Sequence, residues 1–318
     1  MTQFFYFFAT LLGGLAIFIY GMGIMSDSLK GLSQGRLEKA LKHATTNDLK
    51  GFILGSGLTA LLHSSSTLTV MLVGLVNSGL LPFENTFGVI LGSNVGTTLN
   101  AWIISLTGLN FTLLDPKFWV PLISFLGLAI NFLSKTPEKQ KIGLALIGFS
   151  LLMYGMELMS GAVNIVSDLN WFETFLLTLE SPLTALIISS LFTGIIQSSS
   201  ATIGIVEALT LSNPITYKIA IPLVLGANIG TCVTALISSF GANKNAKRVV
   251  WLHLGVNILG SFICLIIIYT IMIFKFKFLN IKIDMTGVAA VHTLFNLSSA
   301  IVFLPFKSYF LKFCKKLI

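Results

Sequence analysis

Charge is what this chain has least of. Only 10% of its 318 residues are Asp, Glu, Lys or Arg, while 54% are hydrophobic, against about 25% charge in a soluble globular domain. With a mean hydropathy of +0.89, that shortage excludes a water-soluble fold. Cysteine is scarce too: Cys232, Cys264 and Cys314 stand far apart, two of them in apolar segments, so no disulfide framework or metal spacing follows. No Walker A pattern occurs, and no polar segment is long enough for an ATPase domain, so an ATP-driven pump would need a partner chain. The first apolar stretch lacks the basic flank of a signal peptide and recurs later in the chain, which marks it as a retained helix. The net charge of +8 comes from short Lys and Arg clusters between apolar segments, an orientation signal rather than a nucleic-acid stripe.

What the chain has in abundance is apolar sequence of membrane-spanning length. Stretches at 4–25, 86–106, 142–160, 219–240, 249–274 and 286–304 approach the roughly 20 residues that cross a bilayer, and 117–133 is a shorter candidate. They imply an all-α polytopic membrane protein with about seven spanning helices and the lipid bilayer as its surroundings.

Self-comparison reveals a duplication at an offset of 134. Tyr20-Gly21-Met22 returns as Tyr154-Gly155-Met156, His63-Ser64-Ser65-Ser66 as Gln197-Ser198-Ser199-Ser200, and Gly92-Ser93-Asn94-Val95-Gly96-Thr97 as Gly226-Ala227-Asn228-Ile229-Gly230-Thr231. Three separated motifs at one spacing exceed what chance similarity of apolar segments would give. The expected division is a first repeat over 1–133, a second over 134–248, and C-terminal helices with a basic tail over 249–318.

Each serine triplet interrupts a pair of apolar arms too short to span, 52–62 with 67–80 and 183–196 with 201–211. That pattern predicts a re-entrant helical hairpin in each half, because non-helical backbone at membrane depth persists only where protein or a polar cavity bonds it. Lys30, Arg36, Lys39, Lys42 and Lys50 follow the first helix, whereas 161–182 holds Asp168, Glu173 and Glu180 and no Lys or Arg. The positive-inside rule puts the first stretch in the cytoplasm and the second outside. Three crossings between equivalent points give the same inversion. The expectation is therefore two inverted-topology repeats, the N-terminus outside and the C-terminus cytoplasmic, with the Lys275, Lys277 and Lys282 loop as the exception to the rule.

A single serine triplet is ordinary helix packing. Two of them at equivalent places in inverted halves would meet near the midplane, where helix N-termini and hydroxyls suit an oxyanion and hydroxyl and carbonyl oxygens suit sodium. The Gly-x-Asn-x-Gly-Thr motifs read either as close packing through glycine or as unwound segments that offer Asn94, Thr97, Asn228 and Thr231 beside the tips, and their duplication together with the triplets favours the second. Glu207 and Glu157 are ionisable residues within apolar segments; Glu207, near the outer end of its arm, has a bland reading in which it reaches water. His253 and His292 read as structural, bonding neighbouring helices with Asn257 and Asn296.

The duplicated serine hairpins, the Gly-x-Asn-x-Gly-Thr motifs and the paired His-x-x-x-Asn helices together resemble the type II sodium/phosphate cotransporter family over nearly the whole chain. The resemblance implies sodium-coupled uptake of inorganic phosphate across the cell (inner) membrane, with no cofactor and no enzymatic activity. It implies phosphate at Ser64, Ser65, Ser66, Gln197, Ser198, Ser199 and Ser200, with His63, Thr67, Asn94, Thr97, Asn228 and Thr231 lining the site or binding sodium. It also leaves a separate soluble phosphate-uptake regulator as a candidate partner, since bacterial members often append such a domain and this chain stops at Ile318. His63 departs from the family's Gln, so the second triplet is expected to match the family's site better. Three other readings are a sodium-coupled symporter of another oxyanion, a channel-like conductor of anions or sodium, or a serine hydrolase, for which His63 is poorly placed because adjacent helical residues point apart.

An imidazole titrates near neutrality, at about 6.5 when unperturbed. Uptake is therefore expected to depart from the pH profile set by phosphate's own titration, and His63→Gln to remove the departure; uptake that tracks phosphate titration alone would argue against a role for His63.

Overall fold

The computed structural model describes residues 2–32, 47–106, 116–166, 170–212 and 215–318. Arg36, Lys39, Lys42 and Asp168, with the side chains of Lys30 and Glu173, lie outside the described residues. The named elements are all helical: α1 (Thr2–Leu32), α2 (Asp48–Leu62), α3 (Ser65–Asn77), α4 (Thr86–Ser105), α5 (Pro116–Leu133), α6 (Pro137–Val166), α7 (Asn170–Leu179), α8 (Pro182–Ile196), α9 (Ser199–Ser212), α10 (Tyr217–Ser238), α11 (Lys244–Ile273), α12 (Met285–Phe303) and α13 (Lys307–Leu317). Helices dominate because hydrocarbon offers the backbone no hydrogen-bond partner, and a helix bonds itself.

Six helical stretches among the described residues are long and apolar enough to cross a membrane: Gln3–Leu29, Phe83–Ser105, Pro137–Val163, Tyr217–Ser238, Lys244–Ile273 and Met285–Leu317. They coincide with the six longer apolar runs of the sequence. The shorter run at 117–133 forms α5, whose apolar stretch Val120–Leu133 is below that length.

Helix ends obey local chemistry. Asn47 caps α2, its Oδ1 accepting from the Leu49 N–H at 2.8 Å, and Asp284 caps α12 by accepting from the Gly287 N–H at 2.7 Å. At the serine triplets the two halves repeat one device. His63 (φ 52°) and Gln197 (φ 58°) are left-handed and end α2 and α8. Ser64 Oγ then accepts from the Thr67 N–H at 3.1 Å to start α3, and Ser198 Oγ accepts from the Ala201 N–H at 3.2 Å to start α9.

The duplicated glycines serve close packing. A Cβ on Gly92 would overlap the Phe52 carbonyl oxygen, and one on Gly226 would overlap that of Leu186; Gly96 stands likewise against Ser56 and Gly230 against Ser190. Each pair differs from its counterpart by the offset of 134. The helices that carry these motifs are continuous over Thr86–Ser105 and Tyr217–Ser238, so the expected unwinding does not occur. Thr97 and Thr231 instead return their hydroxyls to the carbonyls of Ser93 and Ala227, at 3.0 and 2.8 Å.

α1 packs along α6 through four glycines. A Cβ on Gly148 would lie 2.6 Å from the Gly21 carbonyl oxygen, and one on Gly155 2.6 Å from that of Gly14. Position rises along α1 as it falls along α6, so the two equivalent helices are antiparallel. Buried Phe18, Met22, Met25, Met153, Met156 and Met159 fill the rest of this core, thioethers adapting to the irregular gap.

Polar contacts gather at opposite ends. Lys307 pairs with Asp48 at 2.7 Å and Lys315 with Glu84 at 2.6 Å, while the Asn243 N–H donates to Asn77 Oδ1 at 2.8 Å. Elsewhere Lys218 pairs with Glu180 at 2.9 Å, and Thr216 bridges to Lys282.

Because the obstructing atoms at Gly92 and Gly226 are backbone, Gly92→Ala or Gly226→Ala is expected to destabilise the fold by about 1–3 kcal/mol, the range for overpacking. Gly255→Ala, which meets nothing within 4 Å, should not. Thermal unfolding in detergent compares the three.

Candidate functional site

A cavity of about 240 Å³ lies where the two serine triplets meet. It is lined by His63, Ser64, Ser65, Ser66 and Thr67 of the first half, Gln197, Ser198, Ser199 and Ser200 of the second, Thr97 of α4, and Ile19, Met22, Gly23 and Asp27 of α1. The space is below the roughly 300–1,000 Å³ of pockets for drug-sized molecules, which suits a small ion.

The left-handed residue and cap serine explain what the tips present. Helix α3 begins at Ser65 and α9 at Ser199, so their first N–H groups have no partner within the helix. Ser64 Oγ accepts from both the Thr67 N–H and, at 2.9 Å, the Thr67 hydroxyl. Its own proton therefore remains a donor, and the same holds for Ser198, which accepts from Ala201. Two helix N-termini and a set of hydroxyl donors thus converge on one space, the chemistry that binds an oxyanion.

Asn100 fastens the two tips together. Its Nδ2 donates to the His63 carbonyl at 3.1 Å and to Ser200 Oγ at 2.7 Å, while its Oδ1 pairs with His63 Nδ1. Since both amide protons are used, Oδ1 accepts and His63 Nδ1 carries the proton. His63 is buried while Gln197 is exposed, so the two hinge residues differ in setting although their backbones match. The imidazole bonds Asn100 through Nδ1, and no hydrogen bond joins it to a serine among the described residues.

Of the site residues expected from the sequence, all but three line the cavity. Asn94, Asn228 and Thr231 lie apart from it. Asn94 accepts from His253 Nε2 at 3.2 Å and donates to Asn257 Oδ1 at 3.1 Å, and Asn228 pairs with His292 Nε2 at 3.4 Å. Each Gly-x-Asn-x-Gly-Thr amide therefore joins its helix to a His-x-x-x-Asn helix, α4 to α11 and α10 to α12. Glu207 is fully buried, and neither carboxylate oxygen has a hydrogen-bond partner among the described residues. Placed near the arm's end, it does not reach water.

Sequence reasoning missed Asn100 and Asp27. Asn100 carries no local signal, because its role depends on residues 37 and 100 positions away. Asp27 had one: it is an acidic residue in an apolar helix, with Gly161 at its counterpart position.

A family described as Na+/Pi-cotransporter matches residues 17–161 and 169–304. The chain belongs to this family of transporters. The Bacillus subtilis protein YqeW is 30% identical over 308 residues, 96% of each chain. An Escherichia coli protein named "Putative inorganic phosphate export protein YjbB" is 28% identical over 97% of this chain and 55% of its own length. The chain thus spans about half of that relative. The rat "Sodium-dependent phosphate transport protein 2C" is 32% identical over 117 residues, 34% of this chain and 20% of its own. No solved structure matches the chain.

Replacing Asn100 with alanine removes all three of its bonds to the tips. Phosphate transport is expected to fall about tenfold or more, as for loss of a buried bonding group worth roughly 1–3 kcal/mol. Thr98→Ala, whose hydroxyl bonds only the Val95 carbonyl, is the control in the same uptake assay.

Proposed function

We propose that the protein is a sodium-coupled secondary transporter of inorganic phosphate, with phosphate held between Ser64–Ser66 and Gln197–Ser200. The observation that carries this reading is the charge of the cavity. Among the described residues its lining offers hydroxyls, two helix N-termini and the Asp27 carboxylate, and no Lys or Arg. A helix N-terminus contributes about 0.3–2 kcal/mol to a neighbouring anion. One carboxylate at 4 Å opposes it by roughly 4 kcal/mol at an effective dielectric of 20. Phosphate therefore needs a cation beside it. Sodium, a hard cation held by oxygen, is matched by Asp27 with the hydroxyls of Thr67 and Thr97, and the names of the mammalian relatives point the same way.

In this reading the chain consists of two inverted repeats, 1–133 and 134–248, followed by helices over 249–318. Antiparallel packing of equivalent helices α1 and α6 supports the inversion. So does the placing of hairpin ends: Asp48 and Asn77 contact α13 and the start of α11, whereas Glu180 pairs with Lys218. The first hairpin would enter and leave at the end rich in Lys and Arg, the cytoplasmic one, and the second at the opposite end. The inversion also requires α5 to cross. Its 18 residues extend about 27 Å, and Phe125, Phe132 and Leu133 point outward. The N-terminus then lies outside and the C-terminus in the cytoplasm, with the cell membrane as the site of action and a separate soluble regulator as a candidate partner.

Asn94 and Asn228, bonded away from the cavity, act in this scheme by holding α11 and α12 to the repeats. Alternating access would move one hairpin-bearing bundle against the other across the Asn100 bridge. Export is the second direction to consider, because the Escherichia coli relative is named for it; a coupled site runs either way according to the gradients.

Reconstitution in liposomes tests the reading. Labelled phosphate should enter with an inward sodium gradient and leave when the gradient is reversed, and potassium should not replace sodium. Ser198→Ala, Ser199→Ala and Ser200→Ala combined should reduce the flux at least about tenfold. Asp27→Asn should raise the half-saturating sodium concentration about tenfold, the effect of ~1.4 kcal/mol. Equal flux in sodium and potassium would end the coupled reading, and flux that follows electrical potential without saturating would favour a channel.

A further inference from the structure

Away from the serine cavity, α11 and α13 enclose a groove of about 620 Å³ whose walls are aromatic and aliphatic. Trp251, Gly255 and Phe262 form its side on α11, and Tyr309, Phe313 and Leu317 its side on α13. Gly255 forms an open floor, since a Cβ there would meet nothing within 4 Å. Around a membrane protein such a groove faces acyl chains, and its apolar walls alone do not choose among lipids.

The charge at one end does. Arg248 stands one turn before Trp251 on the helix face that carries Gly255 and Phe262, just beyond the groove's end. It donates to Asn245 Oδ1 at 2.6 Å and reaches the Lys315 carbonyl at 3.5 Å, while its buried Nε has no hydrogen-bond partner among the described residues. On α13, Lys307 and Lys315 are paired with Asp48 and Glu84. Lys316 has no ion pair among the described residues, is exposed, and lies about 20° from Tyr309 around the helix, on the side away from Phe313. A basic, aromatic-studded amphipathic helix beside a spanning helix is the chemistry that recognises an anionic headgroup above an apolar chain.

We propose that the groove between α11 and α13 binds an anionic phospholipid, one acyl chain lying along Trp251, Gly255 and Phe262 and the headgroup phosphate held by Arg248 and Lys316. The site is separate from the serine cavity, and its occupant is a bilayer lipid rather than the transported ion. It does not depend on the transport reading.

The probe is a chain carrying Trp102→Phe, Trp119→Phe and Trp171→Phe, so that Trp251 alone reports, reconstituted with acyl-brominated phosphatidylglycerol or phosphatidylcholine. Quenching of Trp251 should favour the anionic lipid by about fivefold, the contribution of one basic group at a membrane surface. The preference should fall in Arg248→Gln and approach one in Arg248→Gln combined with Lys316→Gln. Gly255→Phe, which fills the floor without changing charge, should abolish it as well. Equal quenching by the two lipids would overturn the proposal, and so would protection of Trp251 from both, as expected were a second copy of the chain seated in the groove. Native mass spectrometry of the unmodified chain is the independent check: retained phosphatidylglycerol that is lost in Arg248→Gln supports the site, and indifference to that substitution refutes it.

Discussion

Backbone amides that water does not reach must find partners, and the cavity of this chain descends from two helix breaks at the serine triplets. At His63 and Gln197 the chain turns left-handed for one residue, a conformation that costs roughly 1–2 kcal/mol for a residue with a side chain. Ser64 and Ser198 then cap the helices α3 and α9. The break leaves free N–H groups aimed at a common space. The cavity is thus a product of the same backbone constraint that elsewhere enforces unbroken helices.

Two such breaks meet because the helices around them approach closely. Gly92 and Gly96 let α2 lie against α4, and Gly226 and Gly230 do the same for α8 and α10. The repeated contacts place each tip at the same height relative to its own repeat. Gly14, Gly21, Gly148 and Gly155 then join α1 to α6 antiparallel. Asn100 departs from this symmetry, since it spans from His63 to Ser200 and its counterpart position holds Thr234. One tip is consequently tied through a buried histidine, while the other presents an exposed glutamine to the cavity.

Electrostatics divides the molecule in a complementary way. The described ion pairs, Lys307 with Asp48, Lys315 with Glu84 and Lys218 with Glu180, are partly exposed at helix ends. Each contributes little, about 0–1 kcal/mol. The interior is polar mainly through neutral groups, as in the Asn94, His253 and Asn257 cluster. Such groups satisfy one another in low dielectric at less cost than buried charges would. One carboxylate breaks the pattern, Glu207, which is wholly buried, whereas Asp27 at the cavity is exposed.

Features with a local or periodic cause were legible in the amino-acid order alone. Apolar run length set the helices, the constant offset of 134 set the repetition, and three consecutive serines between short arms marked the breaks, because hydrophobicity and helix termination are decided within a few residues. The Gly-x-Asn-x-Gly-Thr motifs were legible as unusual but not as to purpose: small residues serve an unwound site and a close helix contact equally well, and only the carbonyls of Phe52 and Leu186 standing against Gly92 and Gly226 decide for packing. Tertiary structure also decided that Asn94 and Asn228 bond histidines of distant helices, that Asn100 links the tips, and that Asp27 joins the serines. These depend on groups from separate helices meeting in space, and the packing that brings them together has no counterpart in the local pattern of the chain.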